Sequence, residues 1–563
     1  MQVAVAQLNL TVGALNANAR RLLEAHQSAC RAGARVTLTP ELSLTGFPPQ
    51  DLLLRRAFLD DCAQHLQALA AQVDQGVLLV GFPEYDGTQC YNAVALLRRG
   101  KVRQIYRKQI LRVDEKRYFK KGDTAVPGVF EESGTRFAIL CGDDLVKPGP
   151  GKAALAADAQ CGLVADARAY QVDDETAYPA WLSARAKTLG LPLIVAQHVG
   201  GQDTQVFMGA SMAVNSTGVC AQRWPAWHEA LALAQIKRGE PDVRGNQTQE
   251  PSEHHVYQAL VTALRDYIQK NGFPGIVMGL SGGVDSALAL ALAVDALGSH
   301  RVQTFMLPSP YTSAMSLADA ETMARELGVA HHNIALAPLM NAVTKTLRPW
   351  LNDAPEALTA QNVQARLRAL LLMGLSNQHN WLLLATGNKS EAAVGYSTLY
   401  GDMAGGFAPL KDVTKGWVYR LARYRNTLGR IIPERILTRA PSAELAYGQT
   451  DQDSLPPYET LDAIIEGYVE QGEDAAVLLE QGVSRKHLKE TLQLLAVNEY
   501  KRRQAVPGPC ITARAFDNDW RYPMTSKWRE SLEKSGKSRK DGKMAKNAEA
   551  KDAEVKKRKK EKS

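Results

Sequence analysis

The chain has few cysteines, no long apolar segment and little excess charge. Its seven cysteines lie without paired spacing at positions 30, 62, 90, 141, 161, 220 and 510. This pattern argues against a disulfide framework and against a cysteine-rich zinc site. No run of about 18 apolar residues is present, and the N-terminus MQVAVAQLNL lacks the pattern of a secretion signal. We therefore expect a cytoplasmic protein with no membrane partner.

The formal net charge of +8 comes mostly from the C-terminal end of the chain. Residues 530–563 contain thirteen Lys or Arg and seven Asp or Glu, so this segment carries +6 and the remainder +2. The nearly neutral remainder argues against a specific nucleic-acid surface. Because the tail has almost no large apolar side chains, we predict that 530–563 is disordered. A non-enzymatic protein that binds RNA through this basic tail is the alternative from another functional class.

The length of 563 residues predicts at least two domains. Strand-like runs at 3–8, 36–38, 77–82, 137–140, 163–165 and 193–196 alternate with predicted helices at 16–32, 51–73 and 176–189. This alternation predicts a layered α/β domain over residues 1–236. The polar segment 237–251 contains Pro and Gly and predicts a linker. A second α/β unit is predicted over residues 252–525.

The segment IVMGLSGGVDS, residues 276–286, carries the most chemical information. The apolar run 276–278 predicts a buried strand, a glycine-rich turn follows, and 286–294 predicts a helix. The backbone N–H groups of such a unit and the helix N-terminus bind anions. Asp285 would repel a bare phosphate, so we interpret it as a ligand of phosphate-bound Mg²⁺. The missing Lys of the GxxxxGK[ST] loop argues against a kinase or GTPase.

A second polar cluster lies where another predicted strand ends. The run 381–385 predicts a strand, and the turn TGNKSE, residues 386–391, follows it. Open parallel sheets bind ligands at the carboxyl ends of their strands, so this turn fits a phosphate and metal site better than a packing role. In the predicted helix 361–378, Arg366 and Arg368 lie two positions apart and are predicted on different faces.

Five ordered segments of the C-terminal half carry a family resemblance. They are VMGLSGGVDSALALALAVDALG, MLPSPYTSAMSLADA, NVQARLRALLLMGLSN, LATGNKSEAAVGYSTLYGDMAGGFAPLKDVTK and NEYKRRQAVPG. Together they resemble the glutamine-dependent NAD⁺ synthetases, and SGGxDS is similar to the signature of the ATP pyrophosphatases. The resemblance implies a doubly wound parallel-sheet domain. It also implies a reaction in which deamido-NAD is adenylated by ATP, pyrophosphate leaves, and ammonia displaces AMP.

The resemblance assigns roles to particular positions of the C-terminal half. The implied ATP-binding positions are Gly279, Leu280, Ser281, Gly282, Gly283, Val284, Asp285, Ser286, Thr386 and Lys415. The implied deamido-NAD-binding positions are Asn362, Glu391, Asp402 and Lys501. Asp285 and Glu391 are the implied Mg²⁺ ligands, so ATP and Mg²⁺ are expected as substrate and cofactor. Gln361 stands where the family often has Glu, and this departure affects none of the positions named above.

The N-terminal half resembles the nitrilase superfamily on three short segments. Glu41 lies in PELSLTGF, Lys108 in YRKQIL and Cys141 in FAILCGDD. The resemblance implies an α/β sandwich in which a Glu–Lys–Cys triad hydrolyses the amide of glutamine. A cysteine reacts as a thiolate, which needs a base and a nearby cation. Glu41 suits the first role and Lys108 the second.

Several positions depart from the nitrilase pattern. Gly142 stands where the family usually has Glu, and the segment 111–114 is about four residues shorter. Arg168 and Asp174 replace an expected Ser and Lys that contact glutamine, and 207–211 reads FMGAS where FDGGS is expected. Two accounts stay open. Either the glutamine pocket is rebuilt, or the glutaminase has decayed and the synthetase uses free ammonia.

Other ATP pyrophosphatases fit the sequence less well. GMP synthetase pairs this loop with a Cys-His-Glu amidotransferase, and asparagine synthetase needs a Cys at position two. Neither feature is present in this chain. A tRNA-thiolating enzyme needs cysteines near the loop, whereas none lies between Cys220 and Cys510. The expected small-molecule partners are therefore deamido-NAD, ATP, and L-glutamine or ammonia. The family's interdomain ammonia channel implies a homo-oligomer.

Overall fold

The computed structural model describes residues 1–124, 126–243, 250–351, 357–516, 518–530 and 532. The predicted disordered tail, apart from Glu530 and Leu532, lies outside these residues, as does part of the predicted linker. Within the described residues, no helix combines the length and apolar composition needed to cross a membrane.

Two sheets and their covering helices build the N-terminal half. The strands are β1 (Gln2–Gln7), β2 (Ala34–Leu38), β3 (Val77–Tyr85), β4 (Cys90–Arg98), β5 (Lys101–Arg107), β6 (Gly128–Glu132), β7 (Thr135–Cys141), β8 (Cys161–Ala165), β9 (Leu193–Ala196), β10 (Val199–Gln202), β11 (Gln205–Met208), β12 (Met212–Val214), β13 (Cys220–Arg223), β14 (Ala230–Lys237) and β15 (Glu240–Pro241). The helices are α1 (Leu15–Arg31), α2 (Arg56–Ala71), α3 (Pro148–Ala156) and α4 (Asp174–Leu189).

The two sheets pack face to face. One has the order β15-β14-β1-β2-β3-β4-β5 and the other β13-β12-β9-β8-β7-β6, and β10 pairs with β11 apart from both. Apolar residues of both sheets, such as Val36 and Leu163, form one buried layer between them. α1 and α2 cover the outer face of the first sheet through Leu22 and Leu66, and α4 covers the second through Leu182. The predicted α/β sandwich is therefore present.

The second half is built on a parallel sheet of order β18-β17-β16-β19. Its strands are β16 (Ile276–Gly279), β17 (Val302–Met306), β18 (Ala330–Asn333) and β19 (Leu382–Leu384). The first helices are α5 (Ser252–Lys270), α6 (Val284–Leu297), α7 (Ala314–Glu326), α8 (Ala337–Leu347) and α9 (Ala357–His379). The later helices are α10 (Lys389–Val394), α11 (Lys415–Leu428), α12 (Glu434–Thr438), α13 (Tyr458–Ile464), α14 (Ala475–Glu480), α15 (Arg485–Val497) and α16 (Glu499–Arg502).

Helices cover both faces of this sheet. The apolar residues of α5, α6 and α11 pack on one face, where Leu260, Leu288 and Leu421 are buried in one cluster. Leu372 of α9 packs on the other face against Val277 and Phe305. This arrangement is the predicted doubly wound fold. It places the turns after β16, β17 and β19 at one edge.

The two halves share one apolar core. Tyr170, Met208 and Trp227 of the N-terminal half belong to the same buried cluster as Val256 and Leu264 of α5. In addition, Oδ2 of Asp266 on α5 accepts hydrogen bonds from the Gly201 N–H and from Nδ2 of Asn9, both at 2.7 Å. The halves therefore meet through buried contacts.

Candidate active sites

Three side chains that meet inside the sandwich form the first candidate site. Glu41 lies in the turn after β2, Lys108 directly follows β5, and Cys141 is the last residue of β7. All three residues are 0% exposed. Because β2 and β5 belong to one sheet and β7 to the other, face-to-face packing of the sheets brings the three together.

Lys108 lies at the centre of this site. Its Nζ is 2.9 Å from Oε1 of Glu41, 2.8 Å from Oε1 of Glu115 and 2.9 Å from Oδ2 of Asp143. Burial opposes the ammonium charge, but the surrounding negative groups, Glu41 foremost, raise the pKa of Lys108 well above its usual value. The lysine is therefore a permanent cation that can stabilise negative charge on the Cys141 sulfur or on a substrate oxygen.

The Cys141 thiol is buried and neutral at rest. Its Sγ donates a hydrogen bond to Oδ1 of Asn92 at 3.7 Å. Burial, and next the charge of Glu41, raises the pKa of Cys141 well above its usual value, although Lys108 acts in the opposite direction. Oε2 of Glu41 is buried and accepts no hydrogen bond from any described residue. It can therefore accept the thiol proton when Cys141 attacks a substrate.

Asn92 and Glu115 of this site were missed by the sequence analysis. Nδ2 of Asn92 donates to Oε1 of Glu41 at 2.5 Å and to Oε1 of Glu115 at 3.3 Å. Burial, and next the charge of Glu41, raises the pKa of Glu115. Asn92 lies on β4, a strand that the sequence analysis did not predict. The position of Glu115, seven residues after Lys108 of the matched segment YRKQIL, was an available signal.

His198 contacts the backbone of the turn that carries Glu41. Its Nε2 lies 2.7 Å from the Glu41 carbonyl oxygen. Burial lowers the pKa of His198 to about 4, so the ring is neutral at pH 7 and Nε2–H donates this hydrogen bond. The contact fixes the turn that carries Glu41.

The Gly142 departure has a local structural reason. Gly142 has φ +43°, and a Cβ at this position would lie 2.4 Å from Oε2 of Glu41 and 3.0 Å from Nζ of Lys108. The larger side chain of the family pattern does not fit this backbone unless Glu41 or Lys108 moves. The absence of a side chain leaves the buried oxygen of Glu41 open.

The two replaced glutamine-contacting positions pair with each other. Nη2 of Arg168 lies 3.0 Å from Oδ1 of Asp174, whose side chain is 7% exposed. Both residues follow β8, and Ala165 at the end of β8 is paired with Cys141 in the parallel register. The substitutions therefore lie at the same sheet edge as the thiol and compensate each other in charge.

The shortened segment 111–114 also contributes a charge to this site. Nη1 of Arg112 lies 3.2 Å from Oδ2 of Asp143, the carboxylate that contacts Lys108. The guanidinium carbon lies 5.9 Å from the ring centre of Phe47. An arginine therefore lies near the position of the missing residues.

The glycine-rich turn after β16 forms the second candidate site. The turn leads into α6, which begins at Val284, and Gly282 has φ +78°. A Cβ on Gly282 would lie 2.5 Å from the carbonyl oxygen of Ser316, so only glycine fits here. The Ser286 hydroxyl accepts the Ser281 N–H at 3.2 Å and donates to the Gly283 carbonyl at 3.0 Å. These bonds hold the turn in a compact anion-binding shape.

Four polar side chains meet beside this turn. Nζ of Lys415 lies 2.5 Å from Oδ2 of Asp285 and 3.3 Å from Oε1 of Glu391. Nδ2 of Asn388 donates to Oδ1 of Asp285 at 2.8 Å. Burial, and next the charge of Asp285, raises the pKa of Glu391. The two carboxylates share one cation, Lys415, whose pKa their charges raise against the opposing effect of burial.

The donor set fits a magnesium ion that arrives with a nucleotide. No group of three or more His, Cys, Asp or Glu among the described residues is arranged to hold a metal. Mg²⁺ commonly binds through one or two carboxylates together with substrate phosphates and water. Asp285 and Glu391 supply two such carboxylates next to the anion-binding turn.

One cavity of about 600 Å³ contains all the predicted nucleotide and substrate positions. It is lined by Gly279, Leu280, Ser281, Gly282, Gly283, Val284, Asp285, Ser286, Asn362, Thr386, Glu391, Asp402, Lys415 and Lys501. Oδ1 of Asn362 accepts a hydrogen bond from Thr398 at 2.8 Å, and Nζ of Lys501 donates to the Ser397 carbonyl at 2.8 Å. The structure thus brings these side chains together, and their individual roles stay predictions.

Arg366 and Arg368 both line this cavity, although the sequence analysis placed them on different helix faces. Nε of Arg366 donates to the Leu399 carbonyl and Nε of Arg368 to the Leu307 carbonyl, both at 3.1 Å. The long side chains leave α9 in different directions and reach two walls of the same cavity. Arg439 and Glu444 also line it, and the sequence analysis assigned neither to the site.

Comparison with known families divides the chain at the same place as its fold. Residues 2–241 match the carbon-nitrogen hydrolase family, and residues 256–505 match the NAD synthase family. The glutamine-dependent NAD(+) synthetase of Acinetobacter baylyi is 40% identical over an alignment of 542 residues that covers 94% of this chain and 99% of that protein. The enzyme of that name from Thermotoga maritima is 37% identical over 94% of this chain and 100% of its own length.

Solved structures give the same result. The glutamine-dependent NAD+ synthetase of Acinetobacter baumannii, in complex with ADP, is 38% identical and has a TM-score of 0.75 over 94% of this chain and 99% of its own. The synthetase of Cytophaga hutchinsonii shares the fold with a TM-score of 0.80 at 20% identity over 94% of this chain and 98% of its own. The chain therefore belongs to the glutamine-dependent NAD(+) synthetases, which join a carbon-nitrogen hydrolase domain to an NAD synthase domain.

Proposed function

We propose that the two candidate sites perform the two halves of one reaction, the amidation of deamido-NAD to NAD⁺. Glu41, Lys108 and Cys141 release ammonia from L-glutamine. The cavity at the glycine-rich turn binds ATP and deamido-NAD and forms the adenylated carboxylate that ammonia attacks. Family membership over nearly the full length supports this assignment.

In the first half reaction, Sγ of Cys141 attacks the amide carbon of glutamine while Glu41 takes the thiol proton. Lys108 stabilises the negative charge on the amide oxygen in the tetrahedral intermediate. The proton on Glu41 then passes to the leaving nitrogen, and ammonia departs. Water attacks the remaining thioester while Glu41 takes a proton from it. The carbon–sulfur bond then breaks, glutamate leaves, and the proton on Glu41 returns to the Cys141 sulfur.

In the second half reaction, an oxygen of the nicotinate carboxylate attacks the α-phosphorus of ATP. The bond from this phosphorus to the bridging oxygen breaks, and the electron pair leaves with pyrophosphate. Ammonia then attacks the acyl carbon, the bond from this carbon to the oxygen of AMP breaks, and the nitrogen loses one proton to solvent as the amide forms. The backbone N–H groups of 281–284 and the ammonium of Lys415 lie where they can stabilise the phosphates. Asp285 and Glu391 would hold Mg²⁺, which when bound neutralises phosphate charge.

One observation carries this proposal: both sites keep their reactive groups in contact. Lys108 lies 2.9 Å from Glu41 next to the buried Cys141, and Lys415 contacts Asp285 and Glu391 at the phosphate-binding turn. Burial of charged groups is costly even when they are paired. The presence of such a buried cluster at both sites therefore supports two working sites.

The decisive experiment supplies glutamine labelled with ¹⁵N in its amide group. With deamido-NAD, ATP and Mg²⁺, we expect the label in the carboxamide of NAD⁺, and a parallel reaction with ammonium should also yield NAD⁺. No NAD⁺ from either source would contradict the synthetase assignment. NAD⁺ from ammonium alone would support the second candidate, a synthetase with a degenerate glutaminase, which the Arg168 and Asp174 substitutions favour.

Four further features belong to the proposal. We place the junction of the two halves within the predicted linker 237–251, after the short strand β15, which pairs with β14 in the first sheet. We propose a homo-oligomer that works in the cytoplasm and binds no specific nucleic acid. These statements follow from the sequence and the family resemblance. Sedimentation analysis of the purified protein tests the proposed homo-oligomer.

A further inference from the structure

Arg439 reaches the phosphate-binding turn from a different part of the fold. It directly follows α12, and its side chain lies in the wall of the large cavity. Nη2 donates a hydrogen bond to the Gly282 carbonyl at 3.3 Å, and Nη1 donates to the Ser316 hydroxyl at 2.9 Å. The guanidinium group is thus held next to the turn that the loop sequence SGGVDS forms.

The charge of Arg439 is weakly compensated in this position. Its nearest carboxylate oxygen, Oε1 of Glu444, is 3.7 Å away. That oxygen already accepts hydrogen bonds from the hydroxyls of Ser313 at 2.9 Å and Ser316 at 2.7 Å. By contrast, Lys415 lies in close contact with two carboxylates. Of these two cations, Arg439 is the one whose charge is more available to an incoming phosphate.

The reaction needs such a cation at this place. The loop lacks the lysine that other phosphate-binding loops use for the terminal phosphates. In adenylation the negative charge that develops during bond cleavage leaves with pyrophosphate. Guanidinium groups match phosphate oxygens with two parallel hydrogen bonds.

We propose that Arg439 binds the pyrophosphate portion of ATP and stabilises its departure. The proposal rests on the function proposed above. As the bond between the carboxylate oxygen and the α-phosphorus forms, the bond to the bridging oxygen breaks, and its electron pair goes to the pyrophosphate beside Arg439. No proton is transferred, and the guanidinium stays charged. Because the interaction strengthens as charge develops, its loss lowers kcat more than it raises KM for ATP.

Arg439→Gln tests this role, with Arg435→Gln as the matched control. Arg435 lies on α12 one turn earlier and pairs with Asp319 at 2.7 Å, so its loss also removes a contact to α7. We expect Arg439→Gln to weaken binding of inorganic pyrophosphate with Mg²⁺, measured by calorimetry, by roughly ten- to hundred-fold. ATP–pyrophosphate exchange should fall in parallel, while AMP binding stays within about twofold of the wild type. The control should keep both affinities even if its melting temperature falls.

Arg439→Lys separates charge from geometry and guards against misfolding. A lysine keeps the charge but not the paired hydrogen bonds, so its pyrophosphate affinity should lie between those of the wild type and the Gln variant. Pyrophosphate affinity of Arg439→Gln within twofold of the wild type would overturn the proposal. So would an equal loss of AMP affinity, which indicates a structural role. The pyrophosphate-binding measurement tests the role of Arg439 independently of NAD⁺ synthesis. Absence of NAD⁺ synthesis would contradict the proposed function and not the role of Arg439 in binding.

Discussion

Asp285 is the single residue from which the largest effect on synthesis is expected. Its carboxylate contacts Lys415 and Asn388 beside the glycine-rich turn after β16. Asp285→Asn removes the charge that would hold phosphate-bound Mg²⁺, so NAD⁺ formation should fall at least about a hundredfold with glutamine or ammonium. ATP–pyrophosphate exchange in the presence of deamido-NAD measures this step, and exchange at the wild-type rate would remove Asp285 from it.

The structure changes the expected effect of this substitution on stability. A carboxylate in a loop commonly faces solvent and contributes little packing, whereas the Asp285 side chain is only 18% exposed. The neutral amide leaves Lys415 with Glu391 as its remaining partner among these carboxylates. A moderate fall in melting temperature is therefore compatible with a role in metal binding.

Cys141→Ala tells the two sites apart. Only the thiol can form the acyl-enzyme, whereas free ammonia can attack the adenylate directly. We expect no NAD⁺ from glutamine and nearly wild-type synthesis from ammonium. Steady-state rates with each nitrogen source measure this difference. Cys161, which is equally buried on the neighbouring strand β8, provides the control variant Cys161→Ala. Residual synthesis from glutamine in Cys141→Ala would exclude Cys141 as the nucleophile.

The pair of Arg168 and Asp174 predicts a weakened affinity for glutamine. Wild type should show a KM for glutamine well above the low micromolar range, because contacts in the ground state affect KM more than kcat. The double variant R168S/D174K restores both family residues and should lower this KM severalfold. The single variant R168S leaves the buried Asp174 carboxylate without its arginine and should destabilise the fold. A low-micromolar wild-type KM would contradict the prediction.

Sequence patterns identified residues whose chemistry is local, and missed those that act through contacts between distant strands. Glu41, Lys108 and Cys141 sit in matched segments, and the structure brings them together. Asn92 and His198 carry no motif, and their roles depend on sheets that stack face to face. Arg439 likewise donates a hydrogen bond to Gly282, which lies 157 positions earlier in the sequence. No local sequence pattern predicts such a contact.

Among the secondary elements, buried parallel strands were the most predictable. The predicted strand 193–196 coincides with β9, and the predicted strand 276–278 lies within β16. The hairpin of β4 and β5 was missed. β5 lies at the edge of its sheet and carries exposed charges at Lys101 and Arg103, so it lacks the continuous apolar run of a buried strand such as β3. The predicted helix 51–73 is interrupted because Arg55 has an extended backbone, with ψ 112°.

The helix α5 connects the second half to the first, and Asp266 makes two of its polar contacts with the first half. Asp266→Ala leaves the Gly201 N–H and the Asn9 amide without their acceptor, at about 1–3 kcal/mol for each buried donor. We expect the midpoint of thermal unfolding to fall by about 2 °C or more. Gln269→Ala, at an exposed position of the same helix, should leave the midpoint unchanged. Equal midpoints for the two variants would show that this contact contributes nothing.

At the scale of the whole molecule, the basic tail is predicted to be dispensable. Oε1 of Glu530 accepts the Ala475 N–H at 2.9 Å, and Leu532 packs beside the apolar cluster of the last helices. A truncation after Leu532 keeps these contacts and should leave melting temperature and NAD⁺ synthesis unchanged. A truncation before Glu530 removes them and should cost a small amount of stability. Loss of NAD⁺ synthesis after truncation behind Leu532 would show that the tail has a function.

The shared core around Trp227 and α5 sets a limit on how this chain can be divided. A protease site inserted between 243 and 250 would yield two pieces that stay together as a nicked particle, because separation would expose Tyr170, Met208 and Trp227 to water. Either piece made alone would present that apolar face and would tend to aggregate. Co-expression of the pieces, rather than mixing of separately purified ones, is the route to a split enzyme.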